Sequence, residues 1–355
     1  MAEMITEVQQ ITPKWLTQKL RRKGYLERGR VVAVRERESK GRFVTTSHYL
    51  DVSYSEDLAR PLPGKMFVKI YKPELNQELV GRREALFYNF FPGIMPEISV
   101  VPCFAAGYDP VAGRAYVLME DVSETHYSLV VEDRVCSREQ LELLLGALAK
   151  FHAHWWDHPR LGQDVGEYGD RESFAGYIED LQKRFVTFKN LPDYELQGEK
   201  VWVFERIFAN WEKLFARQQT RKNLTIVHGD ANPLGNVLYP KPGSGAQTYL
   251  IDWNYWQIDL AARDVAYAVV LSFYPNWRAK HERDVLRMYH DQLLEKGVKG
   301  YDWEDFWQDY RLSVVSNLLV PVIWSSWGIS PEWWWPRFVK AFGAFEDLKC
   351  IELLG

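Results

Sequence analysis

The chain has 355 residues, 46% of them hydrophobic, enough for a well-filled core and for two domains or lobes. Lys and Arg number 44 against 48 Asp and Glu, and the net charge of -4 gives no reason to expect a phosphate-backbone binder, so nucleic acid is excluded as an expected partner. Cys103, Cys136 and Cys350 lie far apart and form no metal-type pair, which predicts free thiols.

The N-terminus lacks an apolar run behind a basic start, so it reads as neither a signal peptide nor an anchor. No window approaches the roughly 18 uninterrupted apolar residues of a spanning helix, and a soluble, cytoplasmic protein without a membrane partner is expected. Thr12 before Pro13 predicts a helix start, the hydroxyl capping and the proline in first position, with Gly24 as its stop. RVVAVRERE, RFVTTSHYLDVSYS and KMFVKIYK alternate or are rich in β-branched residues, and turn residues separate them. They predict an antiparallel meander. Leu79, Arg83, Leu86, Phe87 and Phe90 have helical spacing that ends before Pro92, and VVPCFAAGYDPVAGRAYVLMEDV predicts two further strands around a turn. Residues 1–120 are therefore expected to form a sheet with one packed helix.

Past Asp121 the pattern turns helical, beginning with a stripe of Leu141, Leu144, Leu145, Leu148, Phe151, His152 and Trp155. The apolar run around Pro321 predicts a buried helix that bends or ends there. Short apolar runs, LTIV with NVLYP and TYLIDW, are too short for helices and interrupt this helical part, around a polar loop holding His228, Asp230, Asn232 and Asn236. Buried carboxylates and amides cost free energy unless partnered, so such a concentration points to a site.

Phosphoryl transfer needs a carboxylate to orient the attacking hydroxyl and take its proton, and an amide with a second carboxylate to hold Mg²⁺ on the nucleotide phosphates. Asp230 suits the first role, Asn236 and Asp252 the others. A strand lysine oriented by a helix glutamate should meet the α and β phosphates, and Lys69 with Glu84 stand in that order.

The H-G-D-x-x-x-x-x-N loop, the LIDW strand, the RDVAYAV helix and LAKFHAHWW resemble the aminoglycoside phosphotransferase and choline kinase-like superfamily, over nearly the whole chain. The resemblance implies an α+β, two-lobed protein kinase-like fold: residues 1–120 as the nucleotide-binding lobe, residues 121–355 as a helical lobe with the catalytic loop and the acceptor site. It implies Asp230 as catalytic base, Asn236 and Asp252 as magnesium ligands, and Lys69–Glu84 as the nucleotide-side ion pair. Met119, Glu120 and Val122 would meet adenine, and His228 and Asp264 would brace the loop. The implied reaction moves the γ-phosphate of ATP or GTP to a small-molecule hydroxyl such as an antibiotic, amino alcohol or sugar-like compound. Only eleven residues separate Asp252 from Asp264, too few for a peptide-docking segment.

Two features depart from the family pattern. Asn236 stands six residues after Asp230 instead of five, so either the loop bulges at Pro233-Leu234 or Asn232 takes over the metal. The nucleotide-covering stretch RESKGRFVTT has a single glycine. The rival readings are a nucleotide-binding pseudokinase without turnover and a metal hydrolase using His228 and Asp230. For the latter, no serine or cysteine nucleophile stands in a suitable elbow, and His154 and His158 lack a convincing third zinc ligand. Seven of the fifteen tryptophans follow residue 300. Asp309, Trp324, Trp327 and Trp334 are acceptor-site candidates, an aromatic wall with carboxylates that suits a cationic or sugar-like compound.

Overall fold

A computed structural model describes residues 4–41, 44–72, 81–90, 98–130, 135–194 and 196–355. Leu79, Pro92, and Arg42 and Phe43 of the RESKGRFVTT stretch lie outside them. The chain packs as two compact units, residues 1–133 with 236–256, and residues 134–235 with 257–355. The division places 236–256 with the first unit, where the sequence boundary near 120 had left it with the second.

The first unit opens with α1 (Pro13–Arg22), capped as expected by Thr12, whose Oγ1 accepts the Trp15 N–H at 3.2 Å. Gly24, at φ +74°, closes it in a left-handed conformation that glycine adopts without a Cβ penalty. Trp15, Leu16 and Leu20 pack into a core with Leu50, Val68 and Leu118 of the sheet. That sheet is antiparallel, in the order β1 (Val31–Gly41), β2 (Thr45–Tyr54), β3 (Lys65–Tyr71), β5 (Arg114–Glu120), β4 (Cys103–Asp109). The predicted meander and the later strand pair are both present, the pair entering with its second strand against β3.

Helix α2 (Arg82–Phe90) buries Glu84, Ala85, Phe87 and Tyr88. A smaller antiparallel set joins β6 (His126–Tyr127), β8 (Val237–Pro240) and β9 (Tyr249–Leu250). After β9, Trp253 stacks on Phe87 at 3.9 Å between ring centroids, and the Trp256 indole N–H donates to the Arg83 carbonyl at 2.9 Å. These contacts fasten the segment after Asp252 to the helix bearing Glu84.

The second unit is helical around a two-stranded pair, β7 (Thr225–Val227) with β10 (Gln257–Asp259). Helix α3 (Arg138–Trp155) starts at a Ser137–Gln140 capping box and buries the whole predicted stripe, His152 included. It is followed by α4 (Arg171–Phe188), α5 (Glu199–Ala209), α6 (Trp211–Gln219), α7 (Ala262–Val270), α8 (Pro275–Glu295), α9 (Trp303–Asn317), α10 (Leu319–Ser326) and α11 (Pro331–Asp347). The helix break expected at Pro321 falls earlier, at Leu318. Proline is tolerated in a first helical turn, where no intrahelical bond needs its missing N–H, and Pro321 sits in the first turn of α10. Among the described residues no helix is long and apolar enough to cross a membrane, and all three cysteines are free.

Candidate active site

In the first unit, β3 pairs with β2 and β5 on either side of Lys69, opposite Ser47 and Val117, so its position is fixed by two ladders. Its ammonium reaches the Glu84 carboxylate at 3.0 and 3.3 Å and Asp252 at 3.3 Å. Burial alone would lower the Lys69 pKa; the Asp252 and Glu84 charges outweigh it and hold the ammonium above its ordinary value. Glu84 is fully buried, and the Tyr71 hydroxyl donates to its second oxygen, so both oxygens are satisfied.

Asp252 follows β9 at φ +68°, ψ 59°, a left-handed conformation that costs a non-glycine residue about 1–2 kcal/mol. The Asn254 amide donates to its carboxylate and also meets the Tyr71 hydroxyl, closing a ring of groups around Lys69. Tyr71 and Asn254 were not picked from the sequence; the asparagine two residues beyond a strand-end aspartate is the signal that offered it. The Asn236 carbonyl accepts the Ile251 N–H at 3.0 Å as β8 pairs with β9, which sets Asn236 beside the residue that precedes Asp252. A carboxylate and an amide at the ends of adjacent strands are hard oxygen donors of the kind magnesium takes.

The segment after β5 turns tightly. The Val122 carbonyl accepts the Thr125 and His126 N–H groups at 3.0 and 2.9 Å, and the Val122 N–H has no partner among the described residues. Glu120 donates its N–H to the Pro102 carbonyl at 3.0 Å, so that donor is spent in the fold. Met119 is buried.

In the second unit, Asp264 near the start of α7 is completely buried and organises the polar loop. Its oxygens accept the His228 N–H at 2.5 Å and the Gly229 N–H at 2.9 Å, and His152 Nε2 lies 3.2 Å away. The other His152 nitrogen meets the Tyr289 hydroxyl at 2.6 Å. Gly229 at φ +79° lets successive N–H groups converge on one carboxylate. Burial alone would raise the Asp264 pKa, but the hydrogen bond and charge of His152, with His228, hold it below the usual carboxylate value. His228 Nδ1 in turn accepts the Asp230 N–H at 3.3 Å, so the buried histidine braces the backbone at Asp230.

Asn232 is engaged locally: its Oδ1 accepts the Leu234 N–H at 3.1 Å and its N–H donates to the Asp230 carbonyl at 2.7 Å.

The acceptor candidates are scattered. Asp309 is buried, bound by the Arg217 guanidinium at 2.8 Å through both oxygens and by the Tyr301 hydroxyl at 2.9 Å. Trp334 is core, packed on Phe188 with its indole N–H on the Ile329 carbonyl. Neither is open to a ligand, which corrects that part of the expectation. Trp327 is half exposed, and Trp324 carries the Arg337 guanidinium 4.7 Å over its ring. Among the described residues no three His, Cys, Asp or Glu side chains gather to hold a metal, so His154 and His158 have no third ligand there.

A model of the ecdysteroid kinase-like family matches residues 94–299. The chain belongs to the ecdysteroid kinase-like family. No curated protein sequence matches it. Among solved structures it is similar to choline kinase LicA from Streptococcus pneumoniae, at 17% identity and TM-score 0.51 over 94% of this chain and 98% of that one. It is also similar to a choline kinase from Cryptosporidium parvum Iowa II, at 12% identity and TM-score 0.54, over 90% and 91%. A third neighbour, from Ralstonia eutropha JMP134 and described as a candidate aminoglycoside phosphotransferase, gives 15% identity and TM-score 0.53 over 94% and 97%. The fold of this family member is protein kinase-like, and it is a small-molecule kinase.

Proposed function

We propose that the chain transfers the γ-phosphate of ATP or GTP to a hydroxyl group of a small molecule. The observation that carries this reading is the Lys69 ammonium held jointly by Glu84 and Asp252, a partly buried cation poised for nucleotide phosphates. Lys69 orients the α and β phosphates, with Glu84 and Asp252 holding the lysine and the Tyr71 hydroxyl holding Glu84. The Val122 N–H and the Glu120 carbonyl are the adenine-side groups, with Met119 beneath.

Asp230 orients the acceptor hydroxyl and takes its proton as the oxygen attacks the γ-phosphorus, and the bond to the bridging oxygen of the leaving ADP breaks. Asp264, through the His228 and Gly229 N–H groups, keeps Asp230 in place. Asn236 and Asp252 would hold Mg²⁺, which when bound neutralises phosphate charge. The occupation of the Asn232 amide oxygen by Leu234 favours Asn236 over Asn232 in that role. No observation favours binding without turnover.

The test is an ADP-release screen with both nucleotides across amino alcohols, aminoglycosides, macrolides, sugars and lipophilic alcohols. Acceptor-dependent ADP release that Asp230→Asn abolishes is expected. Release that survives this substitution, or that no acceptor elicits, would overturn the mechanism.

A further inference from the structure

In the sheet of the first unit the register sets Lys40 opposite Ser47, Ser47 opposite Lys69 and Lys69 opposite Val117. Residues paired in this way point to the same face of a sheet, and so do residues two apart on one strand. Lys40 therefore shares a face with Lys69, and the side-chain contacts agree. Its ammonium lies 5.3 Å over the Tyr49 ring, Tyr49 packs edge-on against Phe67 at 5.1 Å between ring centroids, and Phe67 is two residues from Lys69. Neighbouring strands lie about 4.8 Å apart, so about 10 Å separates the two lysine backbones, a gap that two lysine side chains and a polyphosphate between them can close.

The opposite face is the core, where Leu50, Met66, Val68 and Leu118 are buried under α1. The Lys69 face is open to water. Tyr49 and Phe67 are partly exposed on it, and the Asp252 and Lys40 side chains are 42% and 46% exposed. Its cations are not equally committed. Lys69 is held by Glu84 and Asp252, and Arg37 reaches the buried Asp121 carboxylate at 2.7 Å. Lys40 meets Glu38 at 3.0 Å, in a pair whose two side chains are both about half exposed. Such a surface pair is worth little, so Lys40 can exchange Glu38 for a stronger anion.

A glycine-rich loop lets successive backbone N–H groups approach nucleotide phosphates. This chain has one glycine in the corresponding stretch, Gly41, directly after Lys40. Resting on the reading of Lys69 as the residue that meets the α and β phosphates, we infer that Lys40 binds the terminal phosphate of the nucleotide. Its side-chain charge supplies there what a glycine-rich loop supplies through backbone N–H groups, the ammonium being a point charge suited to phosphate oxygens.

The test measures binding of ATP, ADP, AMP and inorganic tripolyphosphate to the full chain by calorimetry, with magnesium and at physiological ionic strength. Lys40→Gln should weaken ATP and tripolyphosphate about tenfold, the loss expected of one charge-assisted hydrogen bond, weaken ADP less and leave AMP unchanged. Lys40→Arg should retain most of the ATP affinity. Arg35, exposed on the same face and paired opposite Asp51, controls for mere loss of charge. It stands five residues and about 16 Å along β1 from Lys40, twice the screening length of about 8 Å, so Arg35→Gln should bind ATP as the wild type does. Unaltered ATP affinity in Lys40→Gln, an equal loss for ATP and AMP, or the same loss in Arg35→Gln overturns the inference. Wild-type protein that binds no ATP, or Lys69→Met that binds it undiminished, refutes the reading of Lys69 and takes this inference with it. ATP binding lost in Lys69→Met but kept in Lys40→Gln refutes the Lys40 assignment alone.

Discussion

Replacing Asp264 by Asn removes a charge with almost no change of shape, and the geometry fixes what is lost. His228 N–H and Gly229 N–H approach different oxygens of the carboxylate, at 2.5 and 2.9 Å, while His152 shares the first. An amide offers one oxygen, so one backbone N–H must face an NH₂ group. An orphaned buried donor costs about 1–3 kcal/mol, and the surviving bonds lose charge assistance. The sum is about 3–5 kcal/mol, in the range for breaking a buried charged network. Asp230 sits one residue beyond Gly229, so the loop shift reaches it. A displacement of about 1 Å at the reacting group costs on the order of 100-fold in rate.

Urea unfolding followed by tryptophan fluorescence should show the lost stability, and ADP release should show kcat reduced by that order with the nucleotide KM little changed. The pH dependence gives an independent reading. The folded-state pKa of Asp264 is depressed, so its contribution is fully present above the unfolded value of about 3.9 and is lost as pH falls through the folded pKa below that. The wild-type advantage over Asp264→Asn should shrink across that acid range. A variant with native urea midpoint and native kcat would refute the bracing role.

Lys69→Met should leave the buried Glu84 without its counter-charge, costing about 3–5 kcal/mol and raising the nucleotide KM; the double variant with Glu84→Gln should regain stability in urea melts without regaining activity. Asn236→Ala should depress Mg²⁺-dependent turnover strongly and Asn232→Ala weakly, and the reverse order in a magnesium titration would move the metal to Asn232. Lys340, pushed down to about 8 by burial and the Arg337 charge, binds fewer protons folded than unfolded between that pH and about 10.4, so its contribution to stability rises with pH through this window. Comparing Lys340→Met with wild type in pH-dependent thermal melts should show that slope flattened, and identical slopes would contradict it.

The contrast between what the sequence disclosed and what it withheld follows the range of the interactions. Thr12 with Pro13, the α3 stripe and the alternation of β2 and β3 are local signals, and each element formed where they predicted. Lys69, Glu84 and Asp252 were legible by order, although 183 residues separate the lysine from the aspartate it meets, because the chemistry requires all three kinds of group. Asp309 was misread because its partner is distant in sequence. A charged residue near tryptophans reads as an open carboxylate or is passed over until its partner is known, and Arg217 lies 92 residues from Asp309. The tertiary pairing offsets the Asp309 carboxylate, while a different arginine, Arg337, lies over the Trp324 ring. The sign of the charge beside the aromatic wall is therefore set by which ions the fold pairs, a quantity that composition in the last fifty residues does not contain.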